Sequence, residues 1–272
     1  LHPSSDRLDY RFDDRVAVQY DALRGHPPEV SPRIGEAIAG LAGSGARILE
    51  VGVGTGRIAL PTVSAGGDVV GVDLSAEMLR ALAGREQPNL ALVRGDITRL
   101  PFCSNAFDAA VCVHVLHLVD SRTVLADLLR MVRPGGVIVL GRDWVDPASF
   151  AGALRNAFRQ AVVDLAESID FPTGARGLVQ QLSELGGEPV YNGEEQVAVE
   201  WQTALSPRQV LDGIRSRDDA ESWVLPDDLL TRVMSRLDAF AADHWSDLDS
   251  THGVRRRFVY SLFRVPDNRP GG

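Results

Sequence analysis

The sequence contains no lysine: all 28 of its cationic side chains are arginines. That absence excludes a pyridoxal Schiff base, a Schiff-base aldolase and a Walker phosphate loop, each of which needs a lysine amine. Cysteine is nearly as scarce. Cys103 and Cys112 are the only two, too few for a four-thiolate zinc site, and no CxxC or HExxH spacing occurs, so no metal is expected. Both lie near or inside expected strands and read as buried thiols of a reducing, cytoplasmic compartment. Long apolar runs are missing too. The longest, Ala109 to Val119, is broken by His114 and His117 and falls short of the ~20 residues a membrane helix needs. No signal-peptide pattern opens the chain. It starts at Leu1 rather than Met, which fits removal of something upstream.

What is present is ordinary globular composition: 272 residues, 44% apolar and 24% charged, with a net charge of −9. Such a chain buries a full core and fits one large domain. Its acidic balance repels phosphate backbones, so nucleic acid is not an expected partner. The one dense basic run, Arg255 to Arg257, reads as a solvated strand entry. An all-Arg, Ala/Gly/Val-rich composition suggests a GC-rich bacterial genome.

Strand and helix signals alternate through the middle of the chain. Ala46–Val51, Asp68–Val72, Asn89–Arg94, Phe107–Val115 and Val137–Gly141 are short and mostly apolar, as buried parallel strands are. Between them, Gly56–Ala65, Ala76–Arg85 and Ser121–Met131 read as helices. Ser75 is placed to cap the second, with Glu77 in its first turn, and the Arg133-Pro134-Gly135-Gly136 turn stops the third. The alternation argues for an α/β, doubly wound, mostly parallel sheet whose carboxyl ends form the ligand edge.

Elsewhere the signals differ. Helices are expected in the first 45 residues, over Pro147–Glu167 and Gly177–Leu185, from Ser206 to Arg217, and over Pro226–His244. Further strands are expected within Glu188–Thr203 and at Arg257–Arg264, which brings the sheet to seven. We therefore expect a single domain over 1–272. Its core is about 30–143, 175–203 and 255–264; helical cap elements at about 1–28, 145–173 and 205–250 cover the ligand edge.

Three features carry the chemistry. First, Glu50-Val51-Gly52-Val53-Gly54-Thr55-Gly56-Arg57 is a GxGxG turn after the first strand. There a backbone free of side chains passes close to a ligand, and the next helix offers its N–H groups. The GxGxxG dinucleotide fingerprint needs glycine where Arg57 stands. Second, Asp73 ends the second strand, where a carboxylate accepts from ribose hydroxyls. Third, Asp96 ends the third strand, placed to read an exocyclic adenine amine with the N–H of Ile97 beside it. The fourth strand runs into His114, and His117 follows.

The set EVGVGTGR, VDLS, GDI, FDAAVCVHVLHLV and RPGG resembles the class I S-adenosylmethionine-dependent methyltransferases. The subgroup it looks like is the type-11 one, which includes ubiquinone/menaquinone-pathway and small-molecule enzymes. The resemblance covers about 34–142. It implies a Rossmann-like fold and S-adenosyl-L-methionine as cofactor. Gly52, Gly54 and Gly56 would line its methionine and ribose part, and Glu50 would orient that turn or meet the ammonium through water. Asp73 would hold the ribose hydroxyls, with Leu74 and Met78 against the adenine. Asp96 and Ile97 would read the adenine edge, and His114 would offer its backbone carbonyl to the ammonium. Tyr20, in a YD-type element, would approach the sulfonium or the carboxylate, and Arg24 would pair with that carboxylate.

For an acceptor that must lose a proton, His117 is the candidate base, since it follows the fourth strand and imidazole titrates near neutrality. His26, before a Pro-initiated helix, reads as a solvated turn histidine. Asp143 and Trp144 follow the fifth strand at the site's rim. No Asn/Asp-Pro-Pro-Tyr/Phe element follows the fourth strand, which disfavours base-amine and amide methylation and leaves a small organic acceptor. Two alternatives stay open at this point. One is a non-transferring binder of the same cofactor; the other is a nicotinamide oxidoreductase.

Overall fold

A computed structural model describes residues 25–85, 87–166, 174–217, 220–223 and 225–267. These residues cluster into two compact units, one holding 25–143, 174–199 and 258–267, the other 144–166, 200–217, 220–223 and 225–257.

The first unit is built on a mostly parallel sheet. Its elements begin with α1 (Ser31–Ala42), β1 (Arg47–Val51), α2 (Ala59–Ser64), β2 (Asp68–Asp73), α3 (Ala76–Ala83) and β3 (Leu90–Arg94). They continue with β4 (Phe107–Val113), α4 (Ser121–Met131), β5 (Val132–Val145), α6 (Ala175–Glu184), β6 (Glu188–Pro189), β7 (Gln196–Leu205) and β8 (His252–Arg264). α5 (Phe150–Leu165), between β5 and α6, belongs to the other unit, as do the last two residues of β5, residues 200–205 of β7 and residues 252–257 of β8. Strand order is β3-β2-β1-β4-β5-β8-β6, with β7 paired to β8. β1 pairs in parallel with both β2 and β4. The winding therefore reverses between β1 and β4, and such a reversal opens a crevice at the carboxyl ends of the strands. Ile48, Leu49, Ala109, Ala110, Ile138 and Val139 are all fully buried, because central parallel strands carry helices on both faces.

Among the described residues the sheet has eight strands where seven were expected. The additional one is the two-residue β6, antiparallel to the end of β8, too short to leave a periodic signal. A second difference concerns the Arg-Pro-Gly-Gly turn. The helix passes directly into β5, which begins at Val132. Gly135 N–H donates to the Val265 carbonyl at 2.8 Å, and Val265 N–H donates to the Gly136 carbonyl at 2.9 Å, so the glycines pair as strand. A side chain at Gly136 would meet the Asp108 carbonyl at 2.5 Å. Of the two thiols, Cys112 is buried but Cys103 is exposed, in the loop before β4. Burial pushes the Cys112 thiol well above its ordinary value. α3 starts as expected: Ser75 Oγ accepts from Met78 N–H at 3.2 Å, with Glu77 in the first turn.

In the second unit, α5 (Phe150–Leu165), α7 (Pro207–Arg215) and α9 (Asp227–His244) share a core around Leu154, Phe158, Leu211, Val233 and Leu237; the short α8 spans Ala220–Trp223. Trp144 is flanked by the guanidiniums of Arg257 and Arg255, 4.7 and 5.9 Å from its ring. Arg255 in turn bonds Asp146 and Arg257 bonds Glu200, so the two ends of the basic run are paired charges. α7 opens with a capping box: the Ser206 hydroxyl accepts from Gln209 N–H, and the Gln209 side chain accepts from Ser206 N–H. Ser206→Ala removes one half of that exchange. It should lower stability by about 1 kcal/mol, measured as the shift in a urea midpoint.

Candidate functional site

β1 delivers Glu50 and then the glycine turn to the crevice. Gly52, Gly54 and Gly56 all have positive φ, which L side chains adopt at a cost. Their surroundings differ. A Cβ at Gly52 would strike Val115 at 2.5 Å, and one at Gly56 would strike Leu82 at 2.4 Å. Those two glycines let the turn settle against Val115, just past β4, and against α3. At Gly54 no atom of the described residues lies within 4 Å of the same position, so among them bare main chain faces open space there.

Asp73 fixes this turn. Its Oδ2 accepts from Gly54 N–H at 2.8 Å and its Oδ1 from Ser75 N–H at 2.9 Å. A carboxylate has about four lone-pair sites, so both oxygens keep acceptor capacity. Burial raises the Asp73 carboxyl above its ordinary value, and the N–H groups of Ser75, Gly54 and Leu74 pull it partly back. Leu74, the next residue, is 65% exposed, an apolar side chain left uncovered at the mouth of the crevice. Met78, by contrast, is buried.

Asp73 and Asp96 close neighbouring strands. Gly95 N–H donates to the Asp73 carbonyl at 3.0 Å. Asp96 is exposed and accepts from Thr98 N–H and Thr98 Oγ at 2.9 and 2.7 Å. Ile97 is buried behind it.

Glu50, at the centre of the sheet between Gly71 and Val111, is 4% exposed. Burial pushes its carboxyl up to about 8; Arg57 lowers it and Asp73 raises it further. At neutral pH this side chain is a protonated acid.

His114 has φ +52 and follows β4; His117 is half-buried in a single 3-10 turn, Leu116–Leu118. Tyr20 and Arg24 lie outside the described residues. His26 corrects its expectation as a solvated turn residue. Its side chain is 2% exposed, with Nε2 2.9 Å from Asp143 Oδ1. A carboxylate only accepts, so that nitrogen carries the hydrogen. Asp143 Oδ2 accepts from Arg57 at 2.7 Å. Sequence reasoning missed this cluster because its members come from four separate segments. Arg57 was informative only as a departure from a glycine pattern.

Comparisons with known proteins bear on the family and the fold. A family model described as Methyltransferase domain matches residues 49–140. An uncharacterized methyltransferase of Mycobacterium tuberculosis is 30% identical over 254 residues, covering 93% of this chain and 94% of that one. A demethylmenaquinone methyltransferase of Renibacterium salmoninarum is 35% identical over 146 residues, 52% of this chain. The matches span only 38–60% of the length of that protein and two similar ones. Among solved structures, Haemonchus contortus phosphoethanolamine N-methyltransferase 2 with bound S-adenosyl-L-methionine gives a TM-score of 0.54 at 16% identity, covering 95% of this chain and 58% of that one; it shares the fold. The chain belongs to the class I S-adenosylmethionine-dependent methyltransferases.

Proposed function

We propose that the protein transfers a methyl group from S-adenosylmethionine to a small organic acceptor. One observation carries the reading: the uncovered main chain at Gly54 is held by Asp73, a carboxylate with lone pairs to spare. The residues present fit the cofactor. Asp73 would accept from the ribose hydroxyls, Leu74 would be covered by the adenine, and Asp96 with the Ile97 N–H would meet the adenine edge. Glu50, with the His114 carbonyl, would meet the ammonium end. When bound, the cofactor supplies an already activated methyl on a cationic sulfonium. What remains for the protein is to align the acceptor, exclude water and manage the acceptor's proton.

The acidic net charge supports a small acceptor over a nucleic acid. No helix among the described residues is long and apolar enough to cross a membrane, and we place the protein in the cytoplasm as part of this proposal.

Calorimetry with S-adenosylhomocysteine tests the reading. Saturable binding at one site is expected; its absence in the folded protein overturns the proposal. Asp96→Ala should weaken that binding by only about 1 kcal/mol, a few-fold, because Asp96 is exposed and already engaged by Thr98.

A further inference from the structure

Four side chains converge where β4 and β5 end. Asp143 stands at the centre: Oδ1 takes the His26 hydrogen at 2.9 Å, and Oδ2 takes Arg57 at 2.7 Å and lies 3.3 Å from His114 Nε2. The same nitrogen of His114 is 3.1 Å from the Asp143 backbone N–H. His26 and Arg57 form the buried back of the cluster. His114 and Asp143, with side chains 29% and 23% exposed, form its accessible front.

This arrangement exceeds what holding two strand ends requires. Arg57 with Asp143 would suffice as a tie. His26 adds a second anchor on the other oxygen, which fixes the carboxylate's rotation and presents Oδ2 to His114. Although burial alone would raise the Asp143 carboxyl, Arg57 and the two imidazoles hold it well below the usual range, so it stays anionic. His114 then has a partner in either protonation state. With Nε2 bare it accepts the Asp143 N–H; with Nε2 protonated it donates to the carboxylate. In the latter form Nδ1 is the basic atom. Glu50, the other acid whose charge Arg57 influences, is neutral at pH 7 and does not compete for the role. The left-handed backbone of His114 costs free energy that a merely packed histidine gives no reason to spend.

We propose that His114, oriented by Asp143, takes the proton of the methyl acceptor, and that the acceptor carries an acidic hydroxyl of the phenol or enol class. The inference rests on the methyl-transfer reading above. It moves the base from His117 to His114, and it makes Asp143 a positioning residue. In the step, the acceptor's O–H bond breaks and its proton goes to the imidazole. The oxygen's electron pair forms the new O–C bond while the carbon–sulfur bond breaks and leaves its pair on sulfur. The imidazolium then returns the proton to water. An acceptor already anionic at neutral pH, such as a carboxylate, would need no such dyad.

The test uses the full chain with S-adenosylhomocysteine and 4-nitrophenol, whose phenolate absorbs visible light. In the wild type the bound phenol should ionise more readily than free, by roughly tenfold in its ionisation constant, about one pH unit. His114→Asn should abolish that shift and Asp143→Asn should reduce it. Asparagine tolerates a positive φ, and a cooperative thermal melt reports that each variant is folded. A spectral shift that survives His114→Asn overturns the proposal, as does failure of 4-nitrophenol to bind the S-adenosylhomocysteine complex, or binding without a shift. Failure of the wild type to bind S-adenosylhomocysteine overturns the methyl-transfer reading instead, so the two failures are distinguishable.

Discussion

Replacing Asp73 by alanine should weaken S-adenosylhomocysteine binding by roughly ten- to 150-fold, the equivalent of about 1.5–3 kcal/mol for hydrogen bonds to a charged acceptor. Two losses combine. The ribose would lose its acceptor, and the Gly54 N–H would lose the bond that holds the turn in place. Asp73→Asn separates them, because an amide oxygen can still take one N–H while the charge is gone. Asparagine should recover part of the affinity and most of the thermal stability, alanine neither. Calorimetry and thermal melts on the two variants check this. Equal and small losses, below threefold, would show that the carboxylate serves only the local backbone at Gly54 and Ser75 and does not meet the ribose.

How much of this was legible beforehand divides along a physical line. β1 to β4 and the Val137–Gly141 part of β5 could be read because each holds a short, mostly apolar run, and buried parallel strands carry that pattern locally. The candidate acids Asp73 and Asp96 were placed by the same reading, since a position at the end of such a strand lies at the carboxyl edge of the sheet. What escaped is non-local. The Arg-Pro-Gly-Gly segment reads as a stop, and only its pairing with Val265 makes it strand. His26 looks like a turn residue until Asp143, 117 positions away, supplies its partner. The separate roles of Gly52 and Gly54 are invisible in a GxGxG string, since what distinguishes them is whether Val115 or empty space lies opposite.

Glu50→Gln should stabilise the ligand-free protein at neutral pH and above while removing a proton signal from cofactor binding. Burial raises the Glu50 carboxyl from its ordinary 4.5 to about 8. Between those values the folded chain holds a proton that the unfolded chain releases. Stability from this group is therefore fully present below pH 4.5 and falls as pH rises toward 8. At pH 7 the loss is about 3 kcal/mol. Glutamine is nearly isosteric and does not titrate, so the variant should melt roughly 5 °C or more above the wild type at pH 7, with the gap closing near pH 4.5. An excess that is the same at both pH values would assign the gain to packing rather than to ionisation. Binding supplies the second half of the argument. A cationic ammonium brought toward Glu50 favours its anion, so S-adenosylhomocysteine binding at pH 7 should release a proton. Calorimetry in buffers of different ionisation enthalpy measures that release directly, and Glu50→Gln should abolish it and bind more weakly. If the wild type releases no proton, the ammonium does not lie near Glu50, and this acid shapes the turn from within the sheet without meeting the cofactor.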